Sequence, residues 1–191
     1  MITQALNDQL TRVGPNTDAG AVLRRYWQPA ALSDEWVDGK ALPVNLLGER
    51  LAIVRDANGA RVLATRGSEA GAAPTHHPDD VTIDPSGPVY PVLEAAGVLF
   101  TYMGPGEPPA VPNFDCFRAP DSHTFAFKGL WQCNWLQALE IGIDPAHASF
   151  LHRFLEDEDP DDGYGKQFRD KAAQTNMPMT QILREYPRPA I

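Results

Sequence analysis

Cysteine is scarce in this sequence: Cys116 and Cys133 are the whole supply, and they share no C-x-x-C spacing. Two such residues exclude a disulfide framework and fit a reducing compartment, so a cytoplasmic location is expected. Positive charge is short as well. Sixteen Lys and Arg against 25 Asp and Glu leave a formal net charge of -9, which disfavours nucleic acid and anionic membrane as partners. No stretch approaches the ~20 apolar residues of a bilayer-spanning helix. MITQALNDQLTRVG has no basic region followed by an apolar run, so neither an anchor nor a leader is expected. G-x-S-x-G, a Walker phosphate loop, a dinucleotide glycine fingerprint and a calcium loop are all missing, which sets aside the commonest hydrolase and nucleotide-dependent chemistries.

What remains is a chain with 43% hydrophobic and 21% charged residues, enough to fold around a core, with 18 prolines and 15 glycines that promise much loop. NTDAGAVLRRYWQPA predicts a short amphipathic helix, capped by Thr17 or Asp18, with Val22, Leu23, Tyr26 and Trp27 on one stripe and Pro29 as its stop. LPVNLLG, RLAIVR and RVLAT, with the DANG turn at 56–59, predict an antiparallel meander over 42–65. Residues 66–88 break the pattern: four prolines, no periodicity and no cysteine make an irregular loop of unusual length. VYPVLEAAGVLFTYMG then predicts two strands joined around Glu94 to Gly97, and GPGEPPAVPNF an extended connector. Alternation at 123–127 predicts a further strand, and 131–141 a helix with Trp131, Trp135, Leu136 and Leu139 facing a core. Six acids between Glu156 and Asp162 read as a solvated loop, and QILREYP as a final strand. Cys133, among aromatics, is expected to be buried. The fold class expected is α+β, antiparallel sheet with short helices.

IDPAHASFLH, residues 143–152, carries the chemistry of greatest interest. Asp144 can cap a helix whose first turn holds Pro145, with His147 and His152 as ordinary polar residues. The same residues also suit a metal: Asp144 and His147 share a helical face, although His147 and His152, five apart, diverge by about 140° on an ideal helix. Convergence of both rings requires a helix end or distortion near His152, after which two imidazoles and a carboxylate could present a face to iron. His76 and His77 beside Asp79 and Asp80 make a second, weaker metal candidate. His123 is expected to face water.

LTRVGPNTDAGAVLRRYWQPA, YPVLEAAGVLFTYMGPGEPP, QCNWLQALEIGIDPAHASFLH and PMTQILREYPRP together resemble the alpha, or oxygenase, subunit of Rieske non-haem iron ring-hydroxylating oxygenases, in particular the phthalate 4,5-dioxygenase-like branch. The resemblance covers 1–65 and 89–191. It implies a cluster domain joined to a catalytic domain, with NADH-derived electrons passing from a reductase or ferredoxin through a [2Fe-2S] centre to mononuclear Fe(II), and hydroxylation of an aromatic or related hydrophobic substrate by dioxygen. By family position His147 and His152 are implied iron ligands. Asp144 is the implied bridging carboxylate, orienting a ligand histidine rather than binding iron itself. Asn134, Gln137 and Glu140 match polar positions preceding the site.

Two departures accompany the resemblance. A Rieske centre needs two thiolates and two imidazoles in C-x-H and C-x2-H pairs, and 66–88 offers no cysteine, so no Rieske ligand is assigned. The family's third iron ligand, an aspartate on a later helix, has no expected counterpart before Ile191. The expected organisation is 1–65 with 89–120 as the remnant of a Rieske-type domain lacking its cluster-binding subdomain, 66–88 as the replacing loop, and 121–191 as the start of the catalytic domain. Activity of the chain alone is not expected. A trimer, or a mixed oligomer with an intact alpha subunit in which this chain serves as a nonenzymatic partner, is the alternative role.

Overall fold

The computed structural model describes residues 2–67 and 81–144. Its contacts divide the chain into two units, Met1–Leu130 and Trp131–Ile191.

The first unit opens with two short helices, α1 (Gln4–Thr11) and α2 (Asp18–Leu23). Thr3 caps α1 by accepting the Leu6 amide at 3.2 Å, and Thr17 caps α2 by accepting the Gly20 amide at 3.2 Å. Arg24 already ends α2, so the stripe expected over Val22 to Trp27 does not form: Val22 and Tyr26 are exposed, whereas Leu23 and Trp27 are half-buried. The chain turns directly into β1 (Gln28–Leu32). Pro29 is tolerated there because β1 is an edge strand, where a missing amide proton leaves no ladder bond unmade.

Five further strands follow: β2 (Leu42–Leu46), β3 (Glu49–Arg55), β4 (Arg61–Thr65), β5 (Val89–Ala95) and β6 (Val98–Thr101). Together they form one antiparallel sheet in the order β1-β6-β5-β4-β3-β2. The meander over 42–65 and the hairpin after 89 therefore stand as expected. Both tight hairpins use two-residue turns with positive φ at each centre, Leu47 and Gly48 between β2 and β3, Ala96 and Gly97 between β5 and β6. That backbone matches the twist of the flanking strands. β5 changes neighbours along its length: Val89 to Pro91 pair with β4, and Val92 to Ala95 with β6. Pro91 sits at the changeover, where its carbonyl accepts the Thr101 hydroxyl at 2.9 Å.

The core lies on one face of this sheet. Leu51, Ile53, Leu63 and Leu99 are fully buried, joined by Ala31, Val44 and Met103, with Trp36, Leu47 and Tyr90 packed around them. Each fully buried aliphatic side chain contributes roughly 1.5–3 kcal/mol. After β6 the proline-rich connector is held by Trp27, whose indole donates to the Pro109 carbonyl at 2.9 Å, and by Tyr102, whose hydroxyl donates to that of Pro105 at 3.2 Å. The strand expected at 123–127 does not join the sheet. Exposure alternates there as in a strand, but among the described residues no ladder partner takes it up.

In the second unit the described residues form α3 (Trp135–Ile143). Trp135 and Leu136 are half-buried, but Trp131 is 63% and Leu139 46% exposed, so the expected four-residue core stripe is only half realised. Among the described residues no helix is long and apolar enough to cross a membrane. The α+β class with an antiparallel sheet and short helices is the one observed.

Candidate functional site

α3 is built to end at Asp144. Asn134 caps its start, accepting the Gln137 amide at 3.0 Å, and Gln137 returns the bond by accepting the Asn134 amide at 3.3 Å. This reciprocal pair satisfies two amides that a helix start leaves orphaned. Asn134 and Gln137, assigned to the surroundings of the iron, are thus brought together with their oxygens engaged in capping. Glu140 lies one turn beyond Gln137 on the same helical face and is exposed. Asp144 leaves the helix with φ -84° and ψ 103°, an extended conformation that also suits the first cap of a following helix.

His147 and His152 lie outside the described residues, as do His76, His77, Asp79 and Asp80. His123 is exposed in a single 3-10 turn, with its Nδ1 2.9 Å from the Ser122 hydroxyl. Among the described residues no group of three or more His, Cys, Asp or Glu side chains is placed to hold a metal. Cys133 is exposed, not buried, in the bend that precedes α3; Cys116 is also exposed.

The two ends of the irregular segment between β4 and β5 are paired with each other. Arg66 bridges Ile83 in antiparallel fashion, the Gly67 amide donates to the Thr82 carbonyl at 2.8 Å, and the Asp84 amide donates to the Thr65 carbonyl at 2.9 Å. Asp84 then folds the chain back by accepting from the Ser86 hydroxyl at 2.6 Å and the Ser86 amide at 2.9 Å, bonds that hold its carboxyl below the usual range. Gly87 fits because a Cβ there would lie 2.5 Å from that of Thr65. The donor chemistry does not fit a [2Fe-2S] group: two thiolates are required, and 66–88 contains none.

One largely buried polar cluster is not visible to motif reading. Arg24 donates to the Val13 carbonyl at 2.9 Å, the Leu47 carbonyl at 3.0 Å and Glu49 Oε1 at 2.6 Å, while the Tyr90 hydroxyl reaches Glu49 Oε2 at 3.3 Å. At the other end of β3, Trp36 carries two guanidiniums, Arg55 at 5.0 Å and Arg61 at 5.4 Å from its ring centroid. Those arginines are cross-strand neighbours, and Asp38 and Glu94 offset their repulsion through ion pairs of 2.5 Å each. Only the register of the strands brings these groups together, so no local signal announces them.

No family model matches the chain. A curated relative, the 5,5'-dehydrodivanillate O-demethylase oxygenase subunit of Sphingobium sp. (strain NBRC 103272 / SYK-6), is 30% identical over 186 residues, covering 80% of this chain and 44% of its own length. The phthalate 4,5-dioxygenase oxygenase subunit of Pseudomonas putida is 29% identical over 188 residues, 80% of this chain and 42% of its own. Among solved structures, the oxygenase–ferredoxin complex of carbazole 1,9a-dioxygenase is similar at 26% identity and a TM-score of 0.48, over 66% of this chain and 41% of that one. The chain belongs to the Rieske-type ring-hydroxylating oxygenase alpha-subunit family. It spans less than half the length of these curated relatives. Against the first, 80% of 191 residues is about 153, so about 33 of the 186 aligned positions have no counterpart here.

Proposed function

We propose that this chain is a clusterless member of the phthalate 4,5-dioxygenase-like branch, and that of the ancestral hydroxylation machinery it retains the mononuclear-iron segment without the electron relay. The observation that carries this reading is the pairing of Arg66 with Ile83. Arg66 and Ile83 pair across the two ends of a segment that contains no cysteine, which supports the loss of the cluster ligands. The shortfall of about 33 positions against the first relative is consistent with loss of that insertion.

In this reading His147 and His152 hold ferrous iron, a donor set suited to that metal. Bound iron would supply dioxygen activation. Asp144, at the end of α3 with an extended backbone, would accept an imidazole N–H from one ligand, fixing its tautomer and ring orientation. Asn134 and Gln137 set the start of α3 and hence the direction in which Asp144 leaves it. The intact family reaction, NADH- and dioxygen-dependent hydroxylation of an aromatic or related substrate, would need electrons that this chain has no cluster to relay. A reductase or ferredoxin is therefore the donor for an intact subunit and not for this chain alone. On this reading 1–65 and 89–120 are the remnant of the Rieske-type domain, and 121–191 the beginning of the catalytic one.

Iron and acid-labile sulfide per chain, measured after anaerobic reconstitution beside His147→Ala and His152→Ala, test the proposal. About one iron lost in either variant, with no sulfide, is the expected result. Stoichiometric sulfide in the wild-type chain would sink the clusterless reading, and no histidine-dependent iron would sink the retained site.

A further inference from the structure

We infer that Asn58 is a site of spontaneous covalent modification, its side-chain amide converting through a cyclic imide to aspartate and isoaspartate at a rate restrained by Asp56. Of the seven asparagines in the chain, Asn58 alone is followed by glycine. Both residues lie exposed at the tip of the hairpin between β3 and β4. The nucleophile in this reaction is the backbone nitrogen of the following residue, and a side chain on that residue obstructs its approach. Glycine carries none, and at Gly59 even an added Cβ would meet nothing within 4 Å. Among the described residues the Asn58 side-chain amide has no hydrogen-bond partner, so nothing holds it away from its neighbour.

The steps balance with water as the only co-reactant. Hydroxide takes the proton from the Gly59 amide nitrogen, which then bonds to Asn58 Cγ. The Cγ–Nδ2 bond breaks, and the departing nitrogen takes a proton from water to leave as ammonia. Water then opens the five-membered imide at either carbonyl. Addition at Cγ gives aspartate; addition at the main-chain carbonyl gives isoaspartate, whose backbone runs through the side-chain methylene. Either product places a further negative charge beside Asp56, on a chain whose formal charge is already -9.

The turn restrains the first step. Gly59 donates its amide proton to the Asp56 carbonyl at 3.0 Å, and an amide so bonded yields that proton less readily. Asp56 Oδ1 accepts from the Asn58 amide at 2.9 Å and from the Ala60 amide at 2.8 Å, fixing the tip on both sides of the reacting nitrogen. Arg55 adds a further tie, its Nη1 donating to the Gly59 carbonyl at 2.6 Å. Freeing the Gly59 amide breaks the first of these bonds, and the others resist the rearrangement this entails. The native chain therefore reacts when the hairpin tip opens, a local event that costs less than global unfolding.

The test is incubation of the full chain at mildly alkaline pH, followed by peptide mapping with mass spectrometry and isoaspartyl detection. The peptide containing Asn58 is expected to gain the mass of an amide-to-acid exchange and to split into two products, one of them isoaspartyl. Asn58→Gln should abolish both, and the same chain unfolded in guanidinium should convert faster than when folded. Asp56→Ala should speed the folded chain roughly tenfold, the worth of about one hydrogen bond to a charged group. Asp56→Asn, which removes the same charge but keeps an acceptor oxygen, should stay near the wild-type rate, with circular dichroism showing that each variant is compared folded. Should Asp56→Ala not fold, the folded and unfolded wild-type rates carry the reading. No conversion at Asn58, or conversion spread evenly over the other asparagines, would overturn the site. A folded chain that converts as fast as the unfolded one, or Asp56→Asn as fast as Asp56→Ala, would overturn its restraint by the turn.

Discussion

Arg24 and Glu49 meet at 2.6 Å with side chains only 12% and 14% exposed, joining the end of α2 to the hairpin between β2 and β3. The guanidinium also holds the carbonyls of Val13 and Leu47, so one side chain closes the N-terminal segment onto the sheet. Leaving one member of a largely buried pair alone is costly, whereas replacing both with apolar groups is often nearly neutral. Arg24→Ala should therefore destabilise the chain by about 3 kcal/mol in urea unfolding, and Glu49→Ala by a similar amount. Arg24→Met combined with Glu49→Leu should recover most of that loss. A double variant as unstable as the sum of the singles would show that the carbonyl bonds, and not the ion pair, dominate.

Gly20 sits where two effects of opposite sign compete. In a helix interior, alanine in place of glycine gains about 1 kcal/mol. At Gly20 the added Cβ would stand 2.6 Å from the Thr17 hydroxyl and from the Val13 carbonyl oxygen, and against the Gly14 carbonyl, all parts of the fixed turn before α2. Overpacking of rigid backbone costs about 1–3 kcal/mol. Gly20→Ala should accordingly lower stability despite its better propensity. Gly142 in α3 has nothing within 4 Å of the same position, and Gly142→Ala should increase helicity. Circular dichroism and urea unfolding of the two variants should move in opposite directions.

These two sites also show what the sequence discloses and what it hides. The 42–65 meander is legible because LPVNLLG and RLAIVR are short strand-like apolar runs and DANG is a turn, all local signals. β1 is hidden because QPAAL has no alternation of its own and its partner begins at Val98, so only non-local pairing reveals it. α1 is hidden because its register buries no residue; its Thr3 cap is the main trace. At 123–127 the alternation is real, yet strand assignment requires a neighbour that the sheet does not supply. Arg24 and Glu49 are 25 positions apart, and nothing in either neighbourhood points to the other. For Asp144, His147 and His152, spacing alone favours helix capping over metal binding; only the resemblance points to iron.

Tyr90 provides a pH signature of the same buried node. Burial, followed by the nearby Glu49 carboxylate, pushes its phenol above the ordinary value of 10. The native state thus holds the phenolic proton more tightly than the unfolded chain does. Its contribution to stability is intact below pH 10 and is lost as pH rises through the elevated folded value. Thermal midpoints measured from pH 8 upward should fall more steeply for the wild type than for Tyr90→Phe at the alkaline end. Parallel curves would dissociate Tyr90 from the effect.

Metal removal should leave the sheet unit standing. Its core of Leu51, Ile53, Leu63 and Leu99 is fully buried by hydrocarbon alone, and the ends paired at Arg66 and Ile83 are joined by backbone hydrogen bonds rather than by ligands. A structural metal would make folding depend on its binding free energy, and chelation would then unfold the domain. The expected outcome is an unfolding transition for the sheet that does not move when the purified chain is treated with a strong chelator, even in a preparation where His147 and His152 had bound iron. For a chain of this size a shift of about 2–4 °C corresponds to about 1 kcal/mol. A drop larger than that, restored by added iron, would mean that the fold needs a metal which its core and paired ends indicate it can do without.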